Sequence, residues 1–184
     1  MNVSKGFTLV ELLATISIAT ILLAAATPSF VEMSRKNRLV TYTNDFIATV
    51  NLARSEAIRR GAPVSICHSN NTTSCSGTWS DGWIVFYDKN GNDAVDPGDS
   101  VLRTHEALSQ SYSLGTNPTF AAGITYGADG AATNTGVFAV CHDGNTVGAR
   151  AVILTRLRPR VAQDTDGDHI PNKDAGNITS CTNP

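Results

Sequence analysis

The chain has few aromatic residues and little net charge. Two tryptophans, four tyrosines and six phenylalanines are all that 184 residues carry, and the formal net charge is −2. That balance excludes a chain that binds nucleic acid along its whole length, so any basic site is local. No Cys-x-x-Cys pair, no Gly-rich phosphate loop, no internal repeat and no long low-complexity linker occurs. His68, His105, His142 and His169 have no nucleophile or paired carboxylates at a diagnostic spacing, so no enzyme chemistry is expected. The length suits one compact domain with an appendage, not two full domains.

Gly, Thr, Ser and Asn are abundant, as in a domain of short strands and many turns. Four cysteines stand at Cys67, Cys75, Cys141 and Cys181. An even count in a chain that reads as exported favours two disulfides, with three pairings open. Proximity favours Cys67 with Cys75, leaving Cys141 and Cys181 to pin the C-terminal tail. The Cys67-His68 and Cys141-His142 neighbours match no common zinc spacing, and adjacent residues rarely face one ion.

The most informative stretch begins the chain. From Phe7 to Ala26 the sequence is almost wholly apolar, with Glu11 its only charge. Twenty residues of helix at about 1.5 Å each span about 30 Å, the hydrocarbon thickness of a bilayer. A cleavable signal peptide or a plain membrane anchor accounts for the length but not for Glu11. A carboxylate in lipid costs several kcal/mol unless paired, so it reads as functional. A cation at the same depth is its natural partner.

Beyond Pro28, Phe30, Met33, Leu39, Tyr42, Phe46, Val50, Ala53 and Ala57 recur at three- and four-residue steps, the pattern of a helix with one core-facing stripe. Gly61 and Pro63 stop it. Strands are expected at Val64–Cys67, Trp83–Tyr87, Val101–His105, Ile124–Tyr126, Val137–Cys141 and Ala149–Leu157. The fold class is therefore α+β: a long N-terminal helix, first of membrane-spanning and then of amphipathic character, packed on an antiparallel β-sheet head.

The segment Lys5-Gly6-Phe7-Thr8-Leu9-Val10-Glu11-Leu12-Leu13 resembles the N-terminal signal of type IV pilins and type II secretion pseudopilins. Helix residues Asn51 to Ala57, strand Val64 to Cys67, the Trp79-Ser80-Asp81-Gly82-Trp83-Ile84-Val85-Phe86 run and the following Asp88 hairpin are similar to the GspH/FimT/FimU group of minor pilins and pseudopilins. The resemblance implies a leader at 1–6, an assembly helix at 7–27, an amphipathic helix at 28–62 and a β-rich head at 63–184. It implies that a prepilin peptidase cuts between Gly6 and Phe7, that Phe7 is N-methylated, and that Glu11 pairs with the amine of an adjacent subunit. The implied partners are the peptidase and other minor and major pilins or pseudopilins. The implied location is the bacterial inner membrane, crossed once with the head in the periplasm, and then a fibre.

Two local patterns are candidate ligand sites. Arg150, Arg156, Arg158 and Arg160 form a basic segment, and alternation along an extended strand places the last three on one side. They suit phosphate contact, and relatives that take up DNA carry a Gly-Arg-x-Arg stretch where this chain has Leu157-Arg158-Pro159-Arg160. The competing reading is an edge strand guarded by charge and Pro159. Asp164, Asp166 and Asp168 alternate as oxygen ligands of Ca²⁺ do, without the Glu that completes an EF-hand loop. A polar turn explains them equally, and no other cofactor is expected. A second acidic loop, Asp88 to Asp99, reads first as a hairpin turn.

Overall fold

The computed structural model describes residues 6–174 and 176–184. The expected leader therefore lies, save for Gly6, outside the described residues. One helix, α1 (Leu9–Arg60), precedes ten strands. These are β1 (Val64–His68), β2 (Trp83–Tyr87), β3 (Ser100–His105), β4 (Tyr112–Thr116), β5 (Ile124–Tyr126), β6 (Gly136–His142), β7 (Asn145–Leu154), β8 (Pro159–Val161), β9 (Asn172–Lys173) and β10 (Gly176–Asn177).

Helix α1 starts with a reciprocal cap. The Thr8 backbone N–H and hydroxyl donate to Glu11 Oε2 at 3.0 and 2.9 Å, and the Glu11 N–H donates back to Thr8 Oγ1 at 3.2 Å. Two of the four N–H groups orphaned at a helix start are thereby satisfied. The helix continues through Pro28. It ends where Gly61 adopts φ +63°. There the N–H of Ala62 reaches back to the carbonyl of Ala57, and that of Gly61 to Ile58, both at 3.3 Å. Such a stop requires a left-handed residue, which glycine supplies without steric cost.

The chain forms two compact units, the first ending at Arg38 and the second running from Leu39 to Pro184. In the first unit the large apolar side chains lie exposed, Leu9 at 74%, Ile21 at 69% and Phe30 at 67%. Its hydroxyls turn inward on the backbone. Thr15, Ser17, Thr20 and Thr27 each donate to a carbonyl three or four residues back, which leaves an apolar outer surface. Phe30 and Met33, expected on the core stripe, fall in this unit and are exposed.

In the second unit Leu39, Phe46, Val50, Ala53 and Ala57 are buried. They pack on two antiparallel four-stranded sheets, ordered β3-β2-β1-β5 and β4-β6-β7-β8. Alternation gives the inner strands β2, β6 and β7 apolar residues on both faces. Trp83 and Val85 of β2, Phe138 and Val140 of β6, and Val152 and Leu154 of β7 join the helix in the main core. Phe46 sits at its centre, with ring centroids 4.5 Å from Phe138, 5.6 Å from Trp83 and 6.0 Å from Trp79. On the outer face of the second sheet Val137, Ala139, Ala151 and Ile153 lie under Ala162, Ile178 and Cys181 of the C-terminal segment. On the outer face of the first sheet Ile84 and Phe86 lie under Cys75 and Val95. Both outer faces are covered by irregular chain, and disulfides Cys67–Cys75 and Cys141–Cys181 tie that chain to β1 and β6.

Candidate assembly segment and charged loops

Three regions carry the expected site residues. In the first, Gly6 and Phe7 precede the helix and are exposed, Phe7 at 84%. The cap with Thr8 holds the Glu11 carboxylate one turn from Phe7, at the N-terminal end of the helix. Any cation there meets an oriented oxygen pair, because Thr8 fixes one oxygen and leaves the other free of a partner among the described residues.

The arginine segment departs from the expected row. Strand β7 ends at Leu154, and residues 155–158 form a hairpin loop before β8 returns antiparallel, with Leu154 opposite Pro159. Thr155 closes the loop: its hydroxyl donates to the Arg158 carbonyl at 2.7 Å and accepts the Arg158 N–H at 3.2 Å. Local side-chain bonding of this kind competes with strand pairing, and Pro159 has no N–H for a central ladder. Arg156 and Arg158 thus stand exposed at the tip. Arg160 lies on the edge strand and is ion-paired with Asp174. Arg150 lies within β7 opposite Val140, its Nε buried and unpartnered among the described residues. The four arginines do not form one track.

The acidic loop is braced by its own backbone. Asp164 accepts the N–H groups of Gly167 at 2.7 Å and His169 at 2.9 Å, and Asp168 accepts that of Ile170 at 2.8 Å. The Gly167 bond holds the Asp164 carboxyl below its ordinary pKa. Ligand oxygens of Asp164, Asp166 and Asp168 lie within 4.8 Å of one another, and all three residues are exposed. In the other acidic loop, Asp88 is fully buried and acts as a peg. It accepts the N–H groups of Gly91, Asn92 and Asp93 and the Ser65 hydroxyl.

The family model described as type II transport protein GspH matches residues 42–157. The chain belongs to the GspH family. A second model, the prokaryotic N-terminal methylation motif, matches residues 1–27. This GspH-family chain has the fold of the type IV minor pilin FimU from Pseudomonas aeruginosa, solved in two crystal forms. One gives a TM-score of 0.57 at 20% identity, covering 81% of this chain and 98% of that one. The other gives 0.53 at 20% identity, covering 75% and 95%. Comparison with curated protein sequences finds no significant match. The chain is therefore a type IV pilin-like minor pilin or pseudopilin, with a helix long and apolar enough to cross a membrane.

Sequence reasoning left two features of the head unassigned. Glu56 takes Arg59 and Arg60 together at 2.5 and 2.8 Å, and the pair, Arg59 first, pulls its carboxyl down to about 2. The spacings of three and four residues carry that signal. Tyr126 is wholly buried with its hydroxyl unpartnered among the described residues, and burial pushes its pKa up. Only the fold reveals that one.

Proposed function

We propose that this chain is a prepilin cut between Gly6 and Phe7, N-methylated on Phe7, and built into a type IV pilus or type II secretion pseudopilus through residues 7–27. Glu11 carries the reading. It is the one charge in a membrane-length apolar helix, and Thr8 holds its carboxylate at the chain end that cleavage would turn into an amine. Alone in lipid that carboxylate is costly. Beside the Phe7 amine of an adjacent subunit it is neutralised, so one axial register is favoured over all others. Before assembly the same helix holds the subunit in the inner membrane with the head in the periplasm. The working partners are prepilin peptidase and other pilins or pseudopilins. The test is recovery of Glu11→Ala protein from sheared, purified fibres: loss of incorporation with normal membrane levels is expected, and normal incorporation rejects the reading. A deletion strain scored for surface pili, DNA uptake and exoprotein secretion assigns the machine. DNA capture, the second reading, rests on Arg156 and Arg158 at the hairpin tip and not on a row of three.

A further inference from the structure

The part of α1 between Pro28 and Leu39 has features that helix assembly and head packing leave unused. Phe30, Val31 and Met33 are 67%, 42% and 53% exposed. Just beyond them stand Arg35, Lys36 and Arg38, all exposed, with Glu32 as the only acidic residue of 29–38. Glu32 Oε2 lies 4.0 Å from Arg35 Nη1, and its Oε1 lies 3.7 Å from Lys36 Nζ. Those side chains are 49–67% exposed, and ion pairs so long and so wet contribute little. One carboxylate does not neutralise three cations, so the segment keeps a net charge of +2.

Helix length gives this segment a definite depth. The helix starts at Leu9, and from there it rises about 39 Å to Arg35 and about 44 Å to Arg38 at about 1.5 Å per residue. A bilayer with both headgroup layers is about 40–45 Å thick. With the start of α1 in one headgroup layer, the three cations arrive in the other. Ordinary helix tilt and long side chains take up the small differences. Phe30, Val31 and Met33 then lie where acyl chains meet headgroups. Exposed apolar groups followed by cations at that level are the composition of an interfacial anchor.

The charge also sits on the side that topology disfavours. A cationic flank tends to hold its end of a helix in the cytoplasm. On the proposed orientation the +2 segment lies outside, and the leader offers Lys5 as its only charged side chain. Basic residues placed against that bias need a ligand on the outer side. We propose that Arg35, Lys36 and Arg38 bind the headgroup phosphates of anionic phospholipid at the outer surface of the inner membrane, and that this collar fixes the depth of the helix until the subunit is loaded. Guanidinium and ammonium groups take phosphate oxygens through charge-assisted hydrogen bonds, and exchange of the loose Glu32 contacts for them costs little. The inference goes beyond the fibre reading and rests on its membrane stage. Carboxylates of a neighbouring subunit are the competing partner. They require no particular depth, whereas these cations fall at headgroup distance from the helix start.

The experiment uses the full chain reconstituted in phosphatidylcholine vesicles with or without phosphatidylglycerol. A Met33→Cys variant carries an environment-sensitive fluorophore, attached after mass analysis shows both native disulfides intact. Its quenching by acrylamide, which is neutral and indifferent to surface charge, reports depth. The expected result is quenching at least threefold weaker with phosphatidylglycerol than without. High salt removes the difference, as does the joint change R35Q, K36Q and R38Q, and E32Q enlarges it. Equal quenching in the two vesicles overturns the proposal, and so does a difference that survives the triple change. Loss of the triple variant from purified fibres, with its lipid dependence still equal to that of the parent, gives the trio to subunit contact instead. A second fluorophore, on Ile16→Cys, tests the membrane stage by itself and is expected to be shielded in both vesicles. Shielding at 16 with no lipid effect at 33 rejects the collar and leaves the membrane reading standing, whereas exposure at 16 rejects that reading as well.

Discussion

The two parts of α1 share a helical backbone and differ in where their apolar groups point. Up to Arg38 the large side chains lie exposed, and Glu11 is the only charge as far as Pro28. From Leu39 to Arg60 the buried apolar positions are 39, 46, 50, 53 and 57, steps of seven, four, three and four. A single stripe needs one apolar partner, and the sheets of the same chain supply it. A helix apolar all round needs apolar surroundings on every side, which lipid or neighbouring helices provide. The comparison shows that a sequence can state where its partner comes from: periodic burial points to its own fold, uniform apolarity to something outside it.

Substitutions break this comparison when an effect crosses from one part to the other. The largest expected effect is Glu11→Ala, which abolishes recovery in fibres and leaves the melting temperature of the head unchanged. A drop in head stability would show that the parts are not independent. Next is Trp83→Ala. The side chain is 1% exposed, stacks 3.8 Å from the His105 ring and donates its indole N–H to Thr49 Oγ1 at 3.1 Å. Truncation leaves a cavity and a buried hydroxyl short of a donor, at a cost of about 3–5 kcal/mol by chemical denaturation. Membrane insertion is unchanged.

Opening the Cys141–Cys181 disulfide sharpens the picture inside the head. The bond closes 40 residues, against eight for Cys67–Cys75. On chain entropy alone the longer loop contributes about 4 kcal/mol and the shorter about 2.5 kcal/mol. Paired Cys→Ser variants compared by denaturant midpoint should keep that order.

The smallest effect concerns Glu56. Its carboxyl is lowered from the ordinary 4.5 to about 2 by Arg59 and Arg60. A depressed pKa means stability that is present above about 4.5 and lost as pH falls through about 2. Glu56 is half-buried but its partner Arg59 is 64% exposed, so the pair is screened at the surface and the contribution is slight. Thermal melts of the parent and Glu56→Gln should converge as pH falls from 4.5 to 2; parallel curves would remove the pair from any account of stability.

Much of this architecture is legible in the sequence, for reasons specific to each element. β2 and β5 fall where they were expected, because apolar runs between turn residues leave little choice of bounds. β1 runs one residue further at its C-terminal end, and β6 one residue further at each end. β4 was not expected: Tyr-Ser-Leu-Gly-Thr alternates over only three residues before a glycine, and it is a strand because β6 pairs along all of it. β8, β9 and β10 have two or three residues each, too few for a period to register. The basic segment is where alternation misleads. Treating Ala149–Leu157 as continuous strand ignores Thr155, whose hydroxyl folds the chain back and parts Arg156 and Arg158 from Arg160. At the candidate assembly site, the sequence displays Thr8 and Glu11 at capping-box spacing, and the structure adds their mutual bonding.

The C-terminal segment over the second sheet imposes a timetable. Val137, Ala139, Ala151 and Ile153 have their outer cover only when Ala162, Ile178 and Cys181 arrive. On the proposed route through the inner membrane the N-terminal helix emerges first and can enter the bilayer while the head is still being delivered. The head then waits, its second sheet apolar on the outside and Cys141 unpaired, until residues some forty positions later have crossed. A subunit stalled before that point presents an oily, half-oxidised sheet, a clear mark that separates an unfinished subunit from one ready to be loaded.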